Sequence, residues 1–502
     1  MPETKIVLDP AFTAGEVDRR IFGSFVEHMG RCVYTGLYEP EHATADAHGF
    51  RGDVADLTRE AGVSLVRYPG GNFVSGYRWE DGVGPVQDRP ARIDLAWRSV
   101  EPNTVGLNEF ATWARSTGVE PMLVVNLGTR GVQEACDLLE YANHPGGTAL
   151  SDLRVQHGHR DPHGVRLWGL GNELDGPWQT GHKTADEYGR LAVETAKAMR
   201  QVDPSIELVA CGSSHSRMPT FGSWEATVLD HAYDAVDFIS LHAYYEERDG
   251  DLASFLASSV DMDHFIRSVV ATADHVGAKR RSRKRINLSF DEWNVWYQRD
   301  FAGHTRLDVE QTPRLIEDTF SLADAVAVGG FLNAFLRHAD RVKMACQAQL
   351  VNVIGLIRTE AHGPAWRQTI FHPFAHTARL ARGTVLRVEP QGARHGTALH
   401  GDVDTVDAAA TWDQDSGDVA VFLVNRHPTQ VVDVTIGLRA FPGARLTECL
   451  RLDGDPRRTN TRSHPRAVQP RADTTAACEG GSLELRLSPV SWTALALTTT
   501  AP

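Results

Sequence analysis

Residues 165–175 read VRLWGLGNELD, an apolar, strand-like run that ends in an amide and a carboxylate. Val165 to Trp168 favour a buried, pleated conformation, so this strand would deliver Asn172 and Glu173 to the mouth of a sheet. Two other interpretations fit the stretch alone: a strand-to-helix turn capped by Asn172, and a glycine-rich nucleotide loop. The nucleotide loop is weak because the third glycine of the dinucleotide fingerprint is missing. The rest of the chain must decide between the other two.

The composition is that of a globular protein and limits the class of partner. The chain has 502 residues, of which 42% are hydrophobic and 23% charged. This length exceeds one ordinary core and predicts two domains, one of them large. The formal net charge of −14 predicts no nucleic-acid partner, because the phosphate backbone requires concentrated positive charge. We expect the basic run KRRSRKR at 279–285 to be an exposed helix-to-strand connection.

The sequence predicts a cytoplasmic protein with no membrane partner. No segment has the apolar core of a signal peptide or the length of a membrane span. The six cysteines are scattered without a C-x-x-C pair, which indicates reduced thiols rather than zinc ligands or disulfides. The histidines between residues 157 and 163 lack further ligands at metal-binding spacing, so we expect no metal there.

Short apolar runs alternate with helix-like segments over most of the chain. The runs that we interpret as strands are 21–28, 63–70, 121–127, 165–173, 206–211, 236–244, 286–292 and 344–351. Helical periodicity is found at 53–61, 108–117, 184–202, 260–276 and 312–328. The alternation predicts an α/β fold, a closed (β/α)8 TIM barrel over residues 15–378, with an open doubly wound sheet as the alternative.

After about residue 379 the pattern changes to alternating runs separated by turn residues. The predicted strands are 384–388, 406–412, 418–424, 431–438, 445–451 and 483–487. Together they predict a C-terminal β-sandwich, similar to a jelly roll, over residues 379–502. The segment 1–14, which contains the run KIVLDP, is expected to add one N-terminal strand to this sandwich.

Polar residues follow the predicted barrel strands at their carboxyl ends, where (β/α)8 enzymes place their active sites. They include Glu27, Arg67, Asn72, Asn172, Glu173, His242, Tyr244, Asp291, Glu292 and Gln349. Such groups are costly to bury unless a ligand or another polar group satisfies them, which favours a small, hydroxylated ligand. Trp97, Trp178 and Trp296 add the flat apolar faces that complement sugar rings.

Two glutamates both end apolar strands. Glu173 and Glu292 are 119 positions apart (292 − 173), on opposite sides of an eight-strand ring. Glycoside hydrolysis needs one carboxyl group to protonate the leaving oxygen and another to attack or to direct water. Either glutamate alone would more often be a salt-bridged surface residue, but the pair favours a glycosidase. A non-catalytic carbohydrate-binding protein is the alternative from another class.

Three motifs extend this hypothesis to a family. WGLGNELDGPWQ, FDEWNVWY and YPGGNFVSGY resemble the motifs of glycoside hydrolase family 51, the α-L-arabinofuranosidases, and the likeness extends over essentially the whole chain. The resemblance implies a retaining, exo-acting enzyme that removes terminal non-reducing α-L-arabinofuranosyl residues from oligosaccharides without a metal or another cofactor. It also implies a homo-oligomer, since members often form hexamers. The nearest alternative is another retaining glycosidase of the clan, such as a β-xylosidase or an endoglucanase.

The family pattern also implies a role for each site residue. Glu173 is implied as the general acid/base and Glu292 as the nucleophile. The other implied residues are Glu27, Asn72, Asn172, Tyr244 and Gln349 as sugar contacts, Arg67 and His242 as supports of the carboxylates, and Trp97 and Trp296 as pocket walls. Leu174 stands where many members carry Met, which does not affect the chemistry. We expect residues 246–259 to be a long surface loop, with a mobile flap over the site as the alternative.

Overall fold

The computed structural model describes residues 2–301 and 309–499. In chain order its strands are β1 (Glu3–Val7), β2 (Thr13–Glu16), β3 (Gly23–Phe25), β4 (Leu65–Tyr68), β5 (Arg92–Ile93), β6 (Val100–Glu101), β7 (Glu120–Val125), β8 (Leu167–Leu170), β9 (Glu207–Ala210), β10 (Phe238–Tyr245), β11 (Asn287–Val295), β12 (Val342–Gln347), β13 (Ile357–Thr359), β14 (Ala365–Arg367), β15 (Thr384–Leu386), β16 (Arg394–Thr397), β17 (Gly401–Asp404), β18 (Val406–Trp412), β19 (Asp418–Asn425), β20 (Val432–Gly437), β21 (Arg445–Leu452), β22 (Arg471–Ala472), β23 (Ala477–Glu479), β24 (Ser482–Leu487) and β25 (Ser491–Thr498). The α-helices are α1 (Gly52–Ala61), α2 (Leu107–Thr117), α3 (Val132–Asn143), α4 (Ala149–Gln156), α5 (Ala185–Val202), α6 (Ser223–Ala232), α7 (Leu252–Leu256), α8 (Ser259–Lys279), α9 (Leu322–Arg337) and α10 (Phe371–Leu380).

A closed barrel of parallel strands forms the larger part of the molecule. Its strand order is β3-β4-β7-β8-β9-β10-β11-β12, and β12 pairs back onto β3. Each of these strands overlaps one of the eight apolar runs, so the (β/α)8 prediction is confirmed and the open sheet is wrong. All four residues of β8 are buried, because the barrel interior lies on one side of this strand and the surrounding helices on the other.

Local capping explains where two of the helices, α5 and α9, begin. The helix predicted over 184–202 is confirmed as α5, and the hydroxyl of Thr184, which precedes it, accepts a hydrogen bond from the Glu187 N–H. The prediction of a helix over 312–328 is wrong at its start, since α9 begins only at Leu322. The reason is a second capping box, in which the Asp324 carboxylate accepts from the Ser321 N–H at 2.6 Å.

Two connections differ in how well they were predicted. The basic run 279–285 is the expected exposed connection between α8 and β11, and Lys279 and Arg280 pair with acidic residues of a neighbouring segment. The expected surface loop at 246–259 is wrong in its second half, because it contains α7, whose Phe255 and Leu256 are buried. Among the described residues no helix combines the length and apolar character needed to cross a membrane.

The C-terminal region forms two sheets that share one apolar core. The larger sheet has the order β2-β15-β18-β19-β25-β21-β22, and the smaller one β1-β20-β24-β23. Val421 and Leu495 from the larger sheet pack in one cluster with Val434 and Leu485 from the smaller one. The β-sandwich prediction is therefore confirmed.

Within the described residues, the two sheets of the sandwich contain four strands more than predicted, namely β2, β22, β23 and β25. The N-terminal segment supplies β1, which pairs with β20, and also β2, which pairs with β15 and crosses residue 14. Among these additional strands, β25 lies between β19 and β21. Its sequence SWTALALT is poor in β-branched residues, so it lacked the composition of a strand. The limits 1–14, 15–378 and 379–502 stay predictions.

Helix α9 joins the barrel to the sandwich. It packs against β18, β19 and β25, and Trp492 of β25 is fully buried beneath it. A Cβ atom on Gly329 would lie only 2.3 Å from Cδ1 of the Trp492 ring. A glycine is therefore needed at this helix position for the ring to approach.

We expect Gly329→Ala to lower the midpoint of thermal unfolding, followed by circular dichroism. Overpacking against Trp492 costs about 1–3 kcal/mol, more than the ~1 kcal/mol that alanine contributes as a better helix former. Gly330→Ala is the matched control, since its Cβ would lie 3.3 Å from the Ser259 hydroxyl oxygen and should be tolerated far better. A midpoint for Gly329→Ala equal to or above that of the wild type would contradict this packing.

Candidate active site

A cavity of about 430 Å³ opens at the carboxyl ends of the barrel strands. Its walls include most of the residues that the sequence singled out: Glu27, Asn72, Trp97, Glu173, Tyr244, Glu292, Trp296 and Gln349. The remaining three, Arg67, Asn172 and His242, are buried and bond to those walls from below. The structure thus brings all the predicted site residues together.

A turn with unusual backbone geometry presents Glu173. Gly171 and Glu173 both have positive φ, 90° and 44°, directly after β8. This conformation is common for glycine but strained for glutamate, and such strain is concentrated at functional positions. The Glu173 carboxylate is 9% exposed. Its Oε1 lies 2.8 Å from His242 Nδ1, and its Oε2 accepts from Trp178 Nε1 at 2.7 Å.

Glu292 lies within β11, opposite His242 of β10 in the pairing register. Arg67 Nη1 donates to its Oε1 at 2.7 Å, and the Tyr244 hydroxyl donates to its Oε2 at 2.8 Å. Carboxylate oxygens of Glu173 and Glu292 lie within 4.8 Å of each other. The strands β8 and β11, which are far apart in the sequence, therefore bring the two carboxylates close together in space.

A bulge in β11 lets two consecutive acidic residues serve the same site. The register of β11 against β12 shifts between Phe290 and Trp293, so the simple alternation of faces is interrupted. Asp291 can then accept from His242 Nε2 at 2.9 Å while the neighbouring Glu292 faces the cavity.

The electrostatic environment of Glu292 combines burial with compensating charges. Burial raises the pKa of Glu292 above its ordinary value, while the positive charges of His242 and Arg67 and the hydrogen bond from Tyr244 act in the opposite direction. Burial and the neighbouring Glu292 charge raise the pKa of Tyr244 well above its ordinary value. Tyr244 is therefore a neutral hydrogen-bond donor to this carboxylate.

His242 is held between carboxylates on both ring nitrogens. Burial alone would lower its pKa, but Glu292, Asp291 and Glu173 outweigh burial and raise the pKa well above its ordinary value. Within the described ranges, Glu173, His242 and Glu292 are the group whose ligand atoms are close enough to hold a metal ion. A protonated imidazole and the Arg67 guanidinium already offset two of the three negative charges of Glu173, Asp291 and Glu292, so the arrangement fits proton transfer better than cation binding.

Glu27 is a further buried carboxylate of the cavity wall and lies near Glu292. Its Oε1 accepts from the Phe73 N–H and from Trp97 Nε1, and its Oε2 accepts from Gln349 Nε2 at 3.2 Å. Burial raises the pKa of Glu27 to about 8 despite these bonds. A Cβ on Gly71 would lie 3.2 Å from oxygens of both Glu27 and Glu292, so glycine leaves room between the two carboxylates.

Asn172 links the two halves of the site from beneath. Its Oδ1 accepts from Arg67 Nη2 at 2.6 Å, and its Nδ2 makes longer contacts of 3.3 Å to Asn72 and 3.4 Å to Gln179. At the rim, the ring of Trp296 meets the ring of Tyr244 edge-on, with centroids 5.2 Å apart. The indole therefore forms a flat side wall next to Glu292.

Sequence reasoning missed one wall of the cavity. The loop after β9 contributes Ser214, His215 and Arg217. The polar stretch GSSHSR directly after the run 206–211 was the available signal, but nothing distinguishes it from an ordinary loop. Trp178 was noted only as a flat face, and its hydrogen bond to Glu173 depends on the path of a loop that no periodicity describes.

A (β/α)8 barrel with paired carboxylates at its carboxyl end defines the class of glycoside hydrolases. The comparisons with known proteins agree. The domain described as "Alpha-L-arabinofuranosidase 1 domain" matches residues 57–263, and "Alpha-L-arabinofuranosidase C-terminal domain" matches residues 291–491. The chain belongs to glycoside hydrolase family 51, the α-L-arabinofuranosidases.

Individual relatives cover the whole chain. An intracellular exo-α-(1→5)-L-arabinofuranosidase from Streptomyces lividans is 57% identical over 100% of this chain and 76% of its own length. The enzyme of the same name from Halalkalibacterium halodurans is 51% identical over 98% of both chains. The solved structure of a family 51 α-L-arabinofuranosidase from Bifidobacterium longum superposes with a TM-score of 0.95, at 45% identity over 99% of both chains.

The raised pKa of Glu27 predicts a pH-dependent stability. Between the ordinary value of 4.5 and about 8 the folded state binds the extra proton, so this contribution to stability is present below pH 4.5 and lost as the pH rises through 8. We expect Glu27→Gln to remove this pH-dependent contribution, which amounts to a few kcal/mol of unfolding free energy at most. As the pH is raised from 5 to 8, the midpoint of thermal unfolding of Glu27→Gln should fall less steeply than that of the wild type.

The exposed Glu389 provides the control for this experiment, because Glu389→Gln should leave the slope of midpoint against pH unchanged. A slope for Glu27→Gln parallel to that of the wild type would contradict a proton on Glu27.

Proposed function

We propose that this protein is a retaining, exo-acting α-L-arabinofuranosidase that removes terminal non-reducing α-L-arabinofuranosyl residues from arabinose-containing oligosaccharides. The observation that carries the proposal is the pair of carboxylates, Glu173 and Glu292, whose oxygens lie within 4.8 Å across the cavity. Retaining glycosidases need their two carboxyl groups about 5–5.5 Å apart. Chromatography of the monosaccharide released from arabino-oligosaccharides tests the proposal, and release of arabinose from the chain end is the expected result.

In the first step, Glu292 attacks the anomeric carbon and the leaving oxygen takes a proton from Glu173. Arg67 and Tyr244 donate to the two Glu292 oxygens, which favours the ionised nucleophile. The contact between Glu173 Oε1 and His242 Nδ1 is short enough for either group to hold the proton. His242 in turn bonds to Asp291, which keeps the imidazole oriented towards Glu173.

In the second step, water attacks the glycosyl ester and Glu173 accepts its proton. Formation of the ester removes the negative charge of Glu292, so the surroundings of Glu173 become less negative and a proton on it is less favoured. The same side chain then acts as a base, and hydrolysis restores both carboxyl groups to their starting states.

The remaining residues suit a single furanose ring. Glu27, Asn72, Tyr244 and Gln349 offer hydrogen bonds to its hydroxyl groups from around the cavity, and Trp97 and Trp296 form its apolar walls. The long contacts of Asn172 Nδ2 leave a donor that a 2-hydroxyl can take over, a bond that strengthens as charge develops on the ring.

Cytoplasmic residence is part of the proposal, since the Streptomyces and Halalkalibacterium relatives are named intracellular enzymes. Short imported oligosaccharides then become the expected substrates. The names of the Streptomyces and Halalkalibacterium relatives also support a (1→5) linkage. A Bifidobacterium longum relative, 49% identical, is instead named an exo-α-(1→6)-L-arabinofuranosidase. The homo-oligomer stays a prediction.

The alternatives receive less support. A bifunctional glucanase-xylanase and a glucosidase share only the fold with this chain, each at 13% identity. They do not favour a xylosidase or endoglucanase activity. A non-catalytic sugar-binding protein would not need two carboxylates within 4.8 Å of each other.

We expect Glu173→Ala to lower kcat/KM by about 10²- to 10⁴-fold for substrates with poor leaving groups, because their hydrolysis needs a proton on the departing oxygen. Activated aryl arabinofuranosides need no such proton and should lose far less in kcat/KM. The measurement compares kcat/KM for an arabino-oligosaccharide and for the 2,4-dinitrophenyl glycoside, with Glu389→Ala as the control. Equal losses on both substrates would remove the acid role from Glu173.

For Glu292→Ala we expect almost complete loss of hydrolysis, because no covalent intermediate can form. Azide should enter the vacated space, restore turnover of activated substrates and give a glycosyl azide of inverted configuration, identified by nuclear magnetic resonance. If a folded Glu292→Ala variant shows no rescue at any azide concentration, nucleophilic attack by Glu292 is wrong.

A further inference from the structure

One wall of the cavity has no part in the chemistry described above. It lies next to Glu173 and is formed by Trp178, Ser214, His215 and Arg217. The acid/base must lie beside the departing oxygen, so the wall next to Glu173 faces the leaving group. Glu27 and Gln349, by contrast, bond to each other on another wall, next to the nucleophile.

Trp178 supplies an apolar platform on this side. Its ring is 44% exposed although the indole Nε1 is fixed by the hydrogen bond to Glu173. The His215 ring lies nearly parallel to it, with an interplanar angle of 12° and centroids 6.3 Å apart. The two rings are stacked nearly parallel, and the exposed part of the indole offers the flat apolar surface on which the C–H face of a sugar packs.

The hydrogen bonds of His215 fix which ring nitrogen carries the proton. Its Nδ1 accepts from the Arg217 backbone N–H at 3.1 Å, so a neutral imidazole must carry its hydrogen on Nε2. Within residues 2–301 and 309–499, this Nε2–H has no acceptor in hydrogen-bond contact. Burial and the Arg217 charge lower the pKa of His215, which keeps the ring neutral near pH 7.

The loop that carries His215 is anchored to the acid/base loop. Asp175, two residues after Glu173, accepts from both the N–H and the hydroxyl of Ser214 at 3.0 Å. On the other side of His215, the Ser216 hydroxyl contacts Asp261 at 3.4 Å. The imidazole is thus held in place before any ligand binds, which lowers the entropy lost on binding.

We propose that His215 is a specificity-determining residue for the sugar on the leaving-group side: its Nε2–H donates to a hydroxyl of that sugar, whose apolar face packs on the exposed Trp178 ring. The proposal rests on the proposed function. It assigns a preference for an arabinofuranosyl group linked to a second sugar over one linked to an aglycone without hydroxyl groups.

The test compares two substrates in variants of His215. With α-(1→5)-linked arabinobiose, His215→Ala and His215→Phe should each lower kcat/KM about 3- to 10-fold, as expected for the loss of one neutral hydrogen bond. The change should fall mainly in KM, because the contact lies away from the reacting atoms. With 4-nitrophenyl α-L-arabinofuranoside both variants should stay within twofold of the wild type. His215→Gln, which keeps a donor, should recover part of the loss.

His264→Ala serves as the control, since His264 is exposed on α8 outside the cavity wall. An unchanged kcat/KM for arabinobiose in His215→Ala, or an equal fall for both substrates, would overturn the role of His215. If the wild type hydrolyses neither substrate, the proposed function itself is wrong, so the two failures are distinguishable.

Discussion

The active end of the barrel depends on the buried guanidinium of Arg67. This side chain is 1% exposed, donates to Glu292 and Asn172, and lies 3.6 Å from Asp291. Burying a charge costs several kcal/mol unless partners compensate it. Here the partners are themselves buried carboxylates, so each charge makes the burial of the other possible. Removing the guanidinium would leave the buried carboxylates of Glu292 and Asp291 without this positive charge, which would lower the free energy of unfolding by about 3–5 kcal/mol.

The charge count of this cluster connects stability with chemistry. Arg67 and a protonated His242 supply two positive charges against the three carboxylates Glu173, Asp291 and Glu292. One more proton makes the cluster neutral, which is the state that a poorly hydrated cavity favours. In the proposed mechanism, the proton that the leaving group needs is therefore also the one that relieves the excess negative charge. Esterification of Glu292 would remove one negative charge, and the cluster could then give that proton up.

The sequence allowed the barrel to be predicted, because each barrel strand carries its own apolar run and helical periodicity marks α1, α2, α5 and α8 between them. It also located the carboxylates, since Glu173 and Glu292 directly end or lie within such runs. It could not predict the contact between Asp291 and His242, because that depends on a bulge and strand alternation alone would turn Asp291 away. The wall formed by His215 was also beyond prediction. Its position depends on the hydrogen bonds that Ser214 donates to Asp175, between loops that no periodic pattern relates.

The sandwich contributes to the site through its contacts with the barrel. Arg457, in the connection between β21 and β22, donates to both oxygens of Glu247 at 2.5 and 2.6 Å. Glu247 is buried and lies two residues beyond β10, the strand that carries His242 and Tyr244. A bidentate pair of this kind fixes direction as well as distance. The chain leaving β10 is thus restrained from outside the barrel, and the loop next to Tyr244 is held in place by a domain none of whose described residues lines the cavity.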